Sequence, residues 1–312
     1  MTEQAVYLRG VHKSFRTGFT MKKTLALSGV NLEIEKGEVF GYLGPNGSGK
    51  TTTLKLIMGI IFPDKGVIRV MNRLPKDIVA KEKIGFLPES PYFYEYLTAR
   101  EFLDFYARLF NISSQARNDR INYLLKLVGL ERKSDIALRL YSKGMLQRIG
   151  LAQALINDPD LIILDEPMTG LDPLGRAEVK QIIHGLKNRG KTIIFSSHIL
   201  PDVEALADRV GIIINGGIRD VGKLDELLGK RVKSMEITVR GGDQTMVEQL
   251  SEYAALKRSV DDRYLFTIKK MDYVNKVIDI VRWFDANIET VEPIRMNLEE
   301  LFISEIKKDV SS

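Results

Sequence analysis

The chain has 312 residues, 44% of them hydrophobic, and 46 Lys and Arg against 41 Asp and Glu, for a net charge of +5. That length implies about two domains with ample material for a core; the mild positive excess, spread along the chain, fits work near anionic lipid or RNA, but most such balances are simply solvated surface. The absence of cysteine excludes disulfides and thiolate metal sites and permits a reducing compartment.

The stretch from Met1 to Val6 lacks the basic and apolar regions of a signal peptide, so none is expected. No apolar run approaches the ~18 residues needed to cross a bilayer. Action on a membrane would therefore need a second chain to supply the span.

In chain order, residues 18–23 read as a lengthened hairpin. Glu38-Val39-Phe40-Gly41-Tyr42-Leu43 is a buried strand, and it runs into Gly44-Pro45-Asn46-Gly47-Ser48-Gly49-Lys50-Thr51. This matches G-x-x-x-x-G-K-[ST], the phosphate-binding loop of nucleotide hydrolases. Its glycines let the backbone curl so that the N–H groups form an anion nest. Lys50 then reaches the β- and γ-phosphates and the Thr51 hydroxyl ligates Mg²⁺. A helix from Thr52 through Met58 adds free amides and its dipole.

Further along, Ile84-Gly85-Phe86-Leu87-Pro88-Glu89 is followed by the aromatic run Pro91-Tyr92-Phe93-Tyr94-Glu95-Tyr96. Thr98 and Glu101 form a capping box for a helix through Phe110, and the polar run of residues 113–120 reads as a solvated joint. Tyr141-Ser142-Lys143-Gly144-Met145-Leu146-Gln147-Arg148 starts another helix, with Ser142 a good N-cap.

Leu161-Ile162-Ile163-Leu164-Asp165-Glu166 is a short apolar strand ending in two carboxylates. Beside a phosphate loop, Asp165 is placed to hold Mg²⁺ and Glu166 to polarise the attacking water. Ile193-Ile194-Phe195-Ser196-Ser197-His198 is a second strand, with a histidine past its carboxyl end, where ligands of such sheets bind. A near-neutral pKa suits His198 to bond phosphate and orient water.

This order of motifs resembles the ATP-binding cassette of ABC transporters over roughly residues 5 to 228. The Tyr141 to Arg148 segment is similar to a diverged LSGGQ-x-x-R signature, Gly170-Leu171-Asp172-Pro173 to the D-loop, and His198 to the switch histidine. The resemblance implies an α/β fold of the P-loop NTPase class: a RecA-like core with antiparallel β and helical subdomains, the helical one over about residues 90–157. It also implies an ATPase whose two copies close head to tail around two ATP molecules. Asn46, Gly47, Ser48, Gly49, Lys50, Thr51 and Thr52 would hold the phosphates of one chain's ATP. Ser142 and Gly144 would reach the γ-phosphate of the other chain's ATP, and Asp172 of the D-loop is a further nucleotide-binding residue. Phe15 is the best candidate to stack on adenine, with Tyr7 and Phe19 as rivals and ordinary packing as the alternative.

Three positions depart from the family pattern. Glu89 stands where glutamine is usual; its carboxylate can ligate Mg²⁺ but cannot donate a hydrogen bond when ionised. Lys143 replaces a glycine and Met145 a glutamine. With Ser142 and Gly144 kept, a working trans site is expected. The aromatic run after Glu89 begins the part that grips a permease in the resembled family, and exposed aromatics suit an interface.

Past residue 229 the pattern is β-α-β-α-β: strands near 234–239, 264–269 and 288–291, and helices over 244–256 and 273–284. In the second helix Val274, Val277, Ile278, Val281 and Trp283 fall mostly on one face. Residues 230–312 thus read as a small C-terminal α+β domain for dimer contact or regulation, following a cassette over residues 1–229. Asn297-Leu298-Glu299-Glu300-Leu301-Phe302 reads as a capped last helix and is similar to the end of cassettes paired with ABC-2-type permeases. The function implied is the ATP-hydrolysing subunit of an ABC transporter, an exporter, with ATP and Mg²⁺ and a separate permease. Its expected place is cytoplasmic, peripheral on the inner face of the cell membrane. The alternative is a soluble or regulatory ABC ATPase. No nucleic acid partner is expected, because the chain has one phosphate loop and no coiled-coil or zinc insertion.

Overall fold

The computed structural model describes residues 3–17, 22–229, 232–295 and 298–311. Phe19, most of the expected long hairpin, and Asn297, read as the cap of the last helix, lie outside these residues. The chain divides into two compact units, Met1–Leu224 and Asp225–Ser312. The division precedes the expected 229/230 boundary because most of the short helix Leu224–Gly229 goes with the second unit.

Within the first unit the strands are β1 (Gln4–Thr17), β2 (Lys22–Glu35), β3 (Val39–Leu43), β4 (Lys65–Val70), β5 (Ile84–Leu87), β6 (Leu161–Leu164), β7 (Thr192–Ser197), β8 (Arg209–Ile214) and β9 (Gly217–Lys223). The helices are α1 (Lys50–Ile57), α2 (Ile78–Lys81), α3 (Ala99–Leu109), α4 (Ser114–Leu127), α5 (Lys143–Ala154), α6 (Pro173–Lys187) and α7 (Leu200–Leu206). Two sheets result. An antiparallel one is ordered β2-β1-β4, and a larger one is ordered β5-β6-β7-β3-β8-β9.

In the larger sheet every pair is parallel except β8 with β9. All residues of β3, β6 and β7 are buried, as expected for parallel strands covered on both faces. This explains the apolar runs Leu161 to Leu164 and Ile193 to Phe195. Register then positions the site. Leu43 pairs with Ser197, and Leu164 with Phe195. The residues just beyond β3, β6 and β7 therefore emerge along one edge, at the carboxyl ends of adjacent strands. The Tyr42 hydroxyl meets Thr53 Oγ1 at 3.2 Å and ties β3 to α1 on either side of the phosphate loop. Burial pushes that phenol far above its ordinary value, so it stays neutral.

α3 starts with the expected capping box: Thr98 Oγ1 accepts from the Glu101 amide at 3.2 Å, and the Glu101 carboxylate accepts from the Thr98 amide at 2.8 Å. The polar run of 113–120 is not a joint. It is mostly the first half of α4, and Arg117 from it donates to Asp104 of α3 at 2.8 Å while Arg108 donates to the same carboxylate at 2.7 Å. Its charges tie two helices together, and Ile121, Leu124 and Leu125 are buried beneath them.

α6 and α7 are joined through Asp202, which is 1% exposed and lies 2.6 Å from Arg176 and 2.9 Å from Lys180. Removing a buried carboxylate leaves two half-buried cations unpaired. Asp202→Ala is expected to destabilise the chain by about 3 kcal/mol, read as a lower urea midpoint at unchanged slope; an unchanged midpoint would show the clamp to be superfluous.

The second unit takes in α8 (Leu224–Gly229) from Asp225 on and holds β10 (Val232–Arg240), α9 (Gln244–Leu250), β11 (Ala255–Val260), β12 (Arg263–Ile268), α10 (Val274–Trp283), β13 (Asn287–Arg295) and α11 (Leu298–Ser311). Its antiparallel sheet is ordered β11-β12-β10-β13. The pattern is β-α-β-β-α-β, with one strand more than the sequence suggests. The helix expected to reach 256 stops at Leu250, and Ala255–Val260 is an edge strand exposed at every residue, so it carries no apolar alternation to betray it. Ile237, Val239, Met246, Leu250, Phe266, Ile268, Val277 and Val281 form the core of this unit. Trp283 is not part of that apolar face; it is 85% exposed, because two residues on from the buried Val281 the helix has turned by about 200°.

Candidate functional site

The phosphate loop leaves β3 and closes on α1. Gly49 is the N-cap of α1 at φ 109°, a conformation only glycine adopts readily, and a Cβ there would stand 2.8 Å from the Ala26 carbonyl. No side chain caps α1, so its first amides are open to an anion. Lys50 is buried and its ammonium donates to the Gly44 carbonyl at 2.7 Å and the Pro45 carbonyl at 3.2 Å. The loop is thereby wrapped around its own cation.

Glu166 follows β6 at φ 50°, left-handed for a non-glycine residue, a conformation that costs of order 1 kcal/mol or more and persists where neighbours over-determine it. The neighbours are explicit. The Glu166 amide donates to Ser196 Oγ at 2.8 Å, and that hydroxyl donates to Asp165 Oδ1 at 2.6 Å. Glu166 Oε2 accepts from Thr169 Oγ1 at 3.0 Å and lies 2.9 Å from His198 Nδ1. Oε1 lies 3.4 Å from Lys50 Nζ and takes no hydrogen bond. A cation, a carboxylate and an imidazole thus meet in a chain, Lys50–Glu166–His198, at the tips of β3, β6 and β7.

Beside this chain is a cavity of about 240 Å³ lined by Asn46 through Thr52, Glu89, Glu166 and Ala26. Of the residues expected at the nucleotide, the loop residues, Glu89 and Glu166 line it. Asp165 is 2% exposed, and one of its oxygens is held by Ser196. Phe15 is not among the lining residues; it is 38% exposed on β1 with the Lys13 ammonium 5.5 Å above its ring. Ser142, Gly144 and Asp172 lie outside the cavity too. Ser142 caps α5 by accepting from the Met145 amide at 3.3 Å, and Asp172 caps α6 by accepting from the Gly175 amide at 2.8 Å.

Among the described residues no group of three or more His, Asp or Glu is arranged for a metal. The hydroxyl of Thr51 and the carboxylates of Asp165 and Glu89 are hard oxygen donors, the kind Mg²⁺ takes when phosphate and water complete its shell. The donor set fits that ion.

Glu89 also lines a second groove, about 490 Å³, with Tyr92, Phe93, Lys143, Leu146 and Thr169. The aromatic run divides there. Tyr92 and Tyr96 are 82% and 74% exposed, whereas Phe93 packs on Phe102 and Tyr94 on Phe105, with ring centres 5.5 Å and 5.4 Å apart.

Ser196 and Thr169 escaped the reading of the sequence. Thr169 carries no local signal. For Ser196 a signal existed: a strand of six buried residues that ends in two serines places hydroxyls where apolar side chains are the rule.

Fold and site together define a P-loop nucleotide hydrolase. The ABC transporter family profile matches residues 27–169. An uncharacterized ABC transporter ATP-binding protein of Nostoc is 44% identical over all of this chain and 92% of its own length. Nod factor export ATP-binding protein I of Bradyrhizobium diazoefficiens is 34% identical over 85% of this chain and 86% of its own. A dimeric ATP-binding cassette solved in a post-hydrolysis state with ADP and Pi is 29% identical, with a TM-score of 0.63 over 70% of this chain and 98% of that one. The chain belongs to the ABC transporter ATP-binding proteins. It is the ATP-binding and ATP-hydrolysing subunit of such a transporter.

Proposed function

We propose that the chain powers an exporter whose membrane part is a separate ABC-2-type permease, and that it works at the inner face of the cell membrane. The name of the Bradyrhizobium relative supports export. The segment from Leu298 to Phe302, similar to the end of cassettes paired with such permeases, supports the partner. No helix among the described residues is long and apolar enough to cross a membrane, which agrees with a partner that supplies the span. The groove beside Tyr92 is our candidate for the permease contact.

The observation that carries the catalytic reading is the chain Lys50–Glu166–His198 beside the loop cavity. The loop amides and Lys50 take the β- and γ-phosphates. Glu166 accepts the proton of a water whose oxygen attacks the γ-phosphorus. The bond from that phosphorus to the bridging oxygen breaks, and ADP leaves with the electron pair. His198 bonds the γ-phosphate and holds the base. Thr51, Asp165 and Glu89 would hold Mg²⁺, which offsets phosphate charge when bound. Catalysis of this kind is mostly positioning and charge stabilisation.

Ser142, Gly144 and Asp172 serve the ATP of a second copy, and Phe15 serves adenine. The location of Ser142, Gly144 and Asp172 outside the chain's own cavity supports sharing between copies. The test is complementation. A Lys50→Met chain and a Gly144→Asp chain each form homodimers with no intact site. Mixed, they place one good loop against one good signature, and turnover is expected to appear that neither has alone. Failure of the mixture to hydrolyse ATP would overturn the shared site. The C-terminal domain, the unit Asp225–Ser312, is assigned to dimer contact or regulation.

A further inference from the structure

We propose that Thr169 is a positioning residue: its hydroxyl, together with His198, pins one oxygen of Glu166 and leaves the other, on the Lys50 side, to take the proton of the attacking water. The inference rests on the reading of Glu166 as the base and says what orients it. A carboxylate turns easily about its last torsion, so a base held by one donor presents either oxygen. Here both donors converge on Oε2, at 3.0 Å from Thr169 Oγ1 and 2.9 Å from His198 Nδ1. Oε1 is left with no hydrogen bond and with Lys50 Nζ at 3.4 Å.

Thr169 is itself well held. Its amide donates to the Glu166 carbonyl at 3.2 Å, closing a turn on the residue it orients, and its branched side chain is stiff about χ1. The next residue, Gly170, has φ 72°, and a Cβ there would overlap the Lys143 ammonium. Lys143, the charge that replaces a signature glycine, thus rests on the turn that carries Thr169. Thr169 and Lys143 also share the groove with Tyr92 and Phe93. The residue that orients the base therefore lines the groove, while the base itself lines the nucleotide cavity.

The test compares Thr169→Val, which keeps the shape and loses the hydroxyl, with Thr169→Ser, which keeps the hydroxyl. ATP turnover by the full chain with magnesium is followed as phosphate release, with Glu166→Gln run alongside. The Val variant is expected to lose roughly ten- to hundred-fold in kcat, the range for one hydrogen bond to a charged group, at a KM for ATP within about two-fold of the parent, since Thr169 touches the base and not the loop. Ser should restore kcat to within about three-fold. A purely structural threonine would give the opposite split, with Val folding and turning over like the parent or with Val and Ser failing alike; either result overturns the proposal. If Glu166→Gln is inactive while Thr169→Val is normal, only this inference fails. If Glu166→Gln turns over normally, the base reading itself falls.

Discussion

Glu166→Gln is expected to lower ATP turnover at least about a hundred-fold, the contribution typical of a positioned general base, while the chain still binds ATP. Glutamine has nearly the same shape, so its carbonyl can still accept from Thr169 and His198 at the Oε2 position. The left-handed backbone at residue 166 keeps its amide bond to the Ser196 hydroxyl, which the substitution does not touch. What is lost is the proton acceptor on the Lys50 side. The loop amides and Lys50 remain, so nucleotide binding should persist. With hydrolysis stalled, ATP should accumulate a closed pair of chains, visible as a shift in mass by light scattering. Turnover at the parent rate would remove Glu166 from the base role.

The second large effect is expected from Lys50→Met. Lys50 and Glu166 are a buried pair, with side chains 7% and 6% exposed. Losing the cation leaves a buried carboxylate facing an uncharged side chain, and two loop carbonyls, those of Gly44 and Pro45, lose their donor. Breaking such a pair costs about 3 kcal/mol, so the chain without nucleotide should melt earlier. The diagnostic is the response to ligand. ATP at about a hundred times its Kd should stabilise the parent by about 2.7 kcal/mol, and the variant should gain almost none of this. A variant that melts early yet keeps the full ATP-induced shift would reduce Lys50 to a structural role. Both experiments follow from the same contact, but they separate binding from chemistry: Lys50→Met acts on affinity and Glu166→Gln on turnover.

Much of the candidate site was legible in the sequence because its parts are contiguous. Eight residues from Gly44 to Thr51 define the loop, two define the acidic pair, and one histidine follows its strand. The elements carrying them were legible too, since β3, β6 and β7 are short, wholly buried strands built around apolar runs. Elsewhere the pattern misled for physical reasons. β11 is an exposed edge strand with no buried face, so nothing in its side chains announces a strand. Residues 113–120 looked like a joint because the helix spends its polar residues on a neighbouring helix. Trp283 was grouped with the apolar face, but two residues past the buried Val281 it falls about 200° round the helix and faces solvent.

By itself the sequence determined which groups this protein brings to ATP: a loop that cradles phosphate, a lysine, two carboxylates and a histidine. Each is written into a short stretch of chain whose spacing has a mechanical cause. Tertiary structure alone decided how the base is held. Ser196 comes from β7 and Glu166 from the end of β6, and they meet because parallel register sets Leu164 beside Phe195. Thr169 reaches back to Glu166 only because the chain turns there at a left-handed residue. Strand register and backbone handedness are products of packing, and no local motif records them.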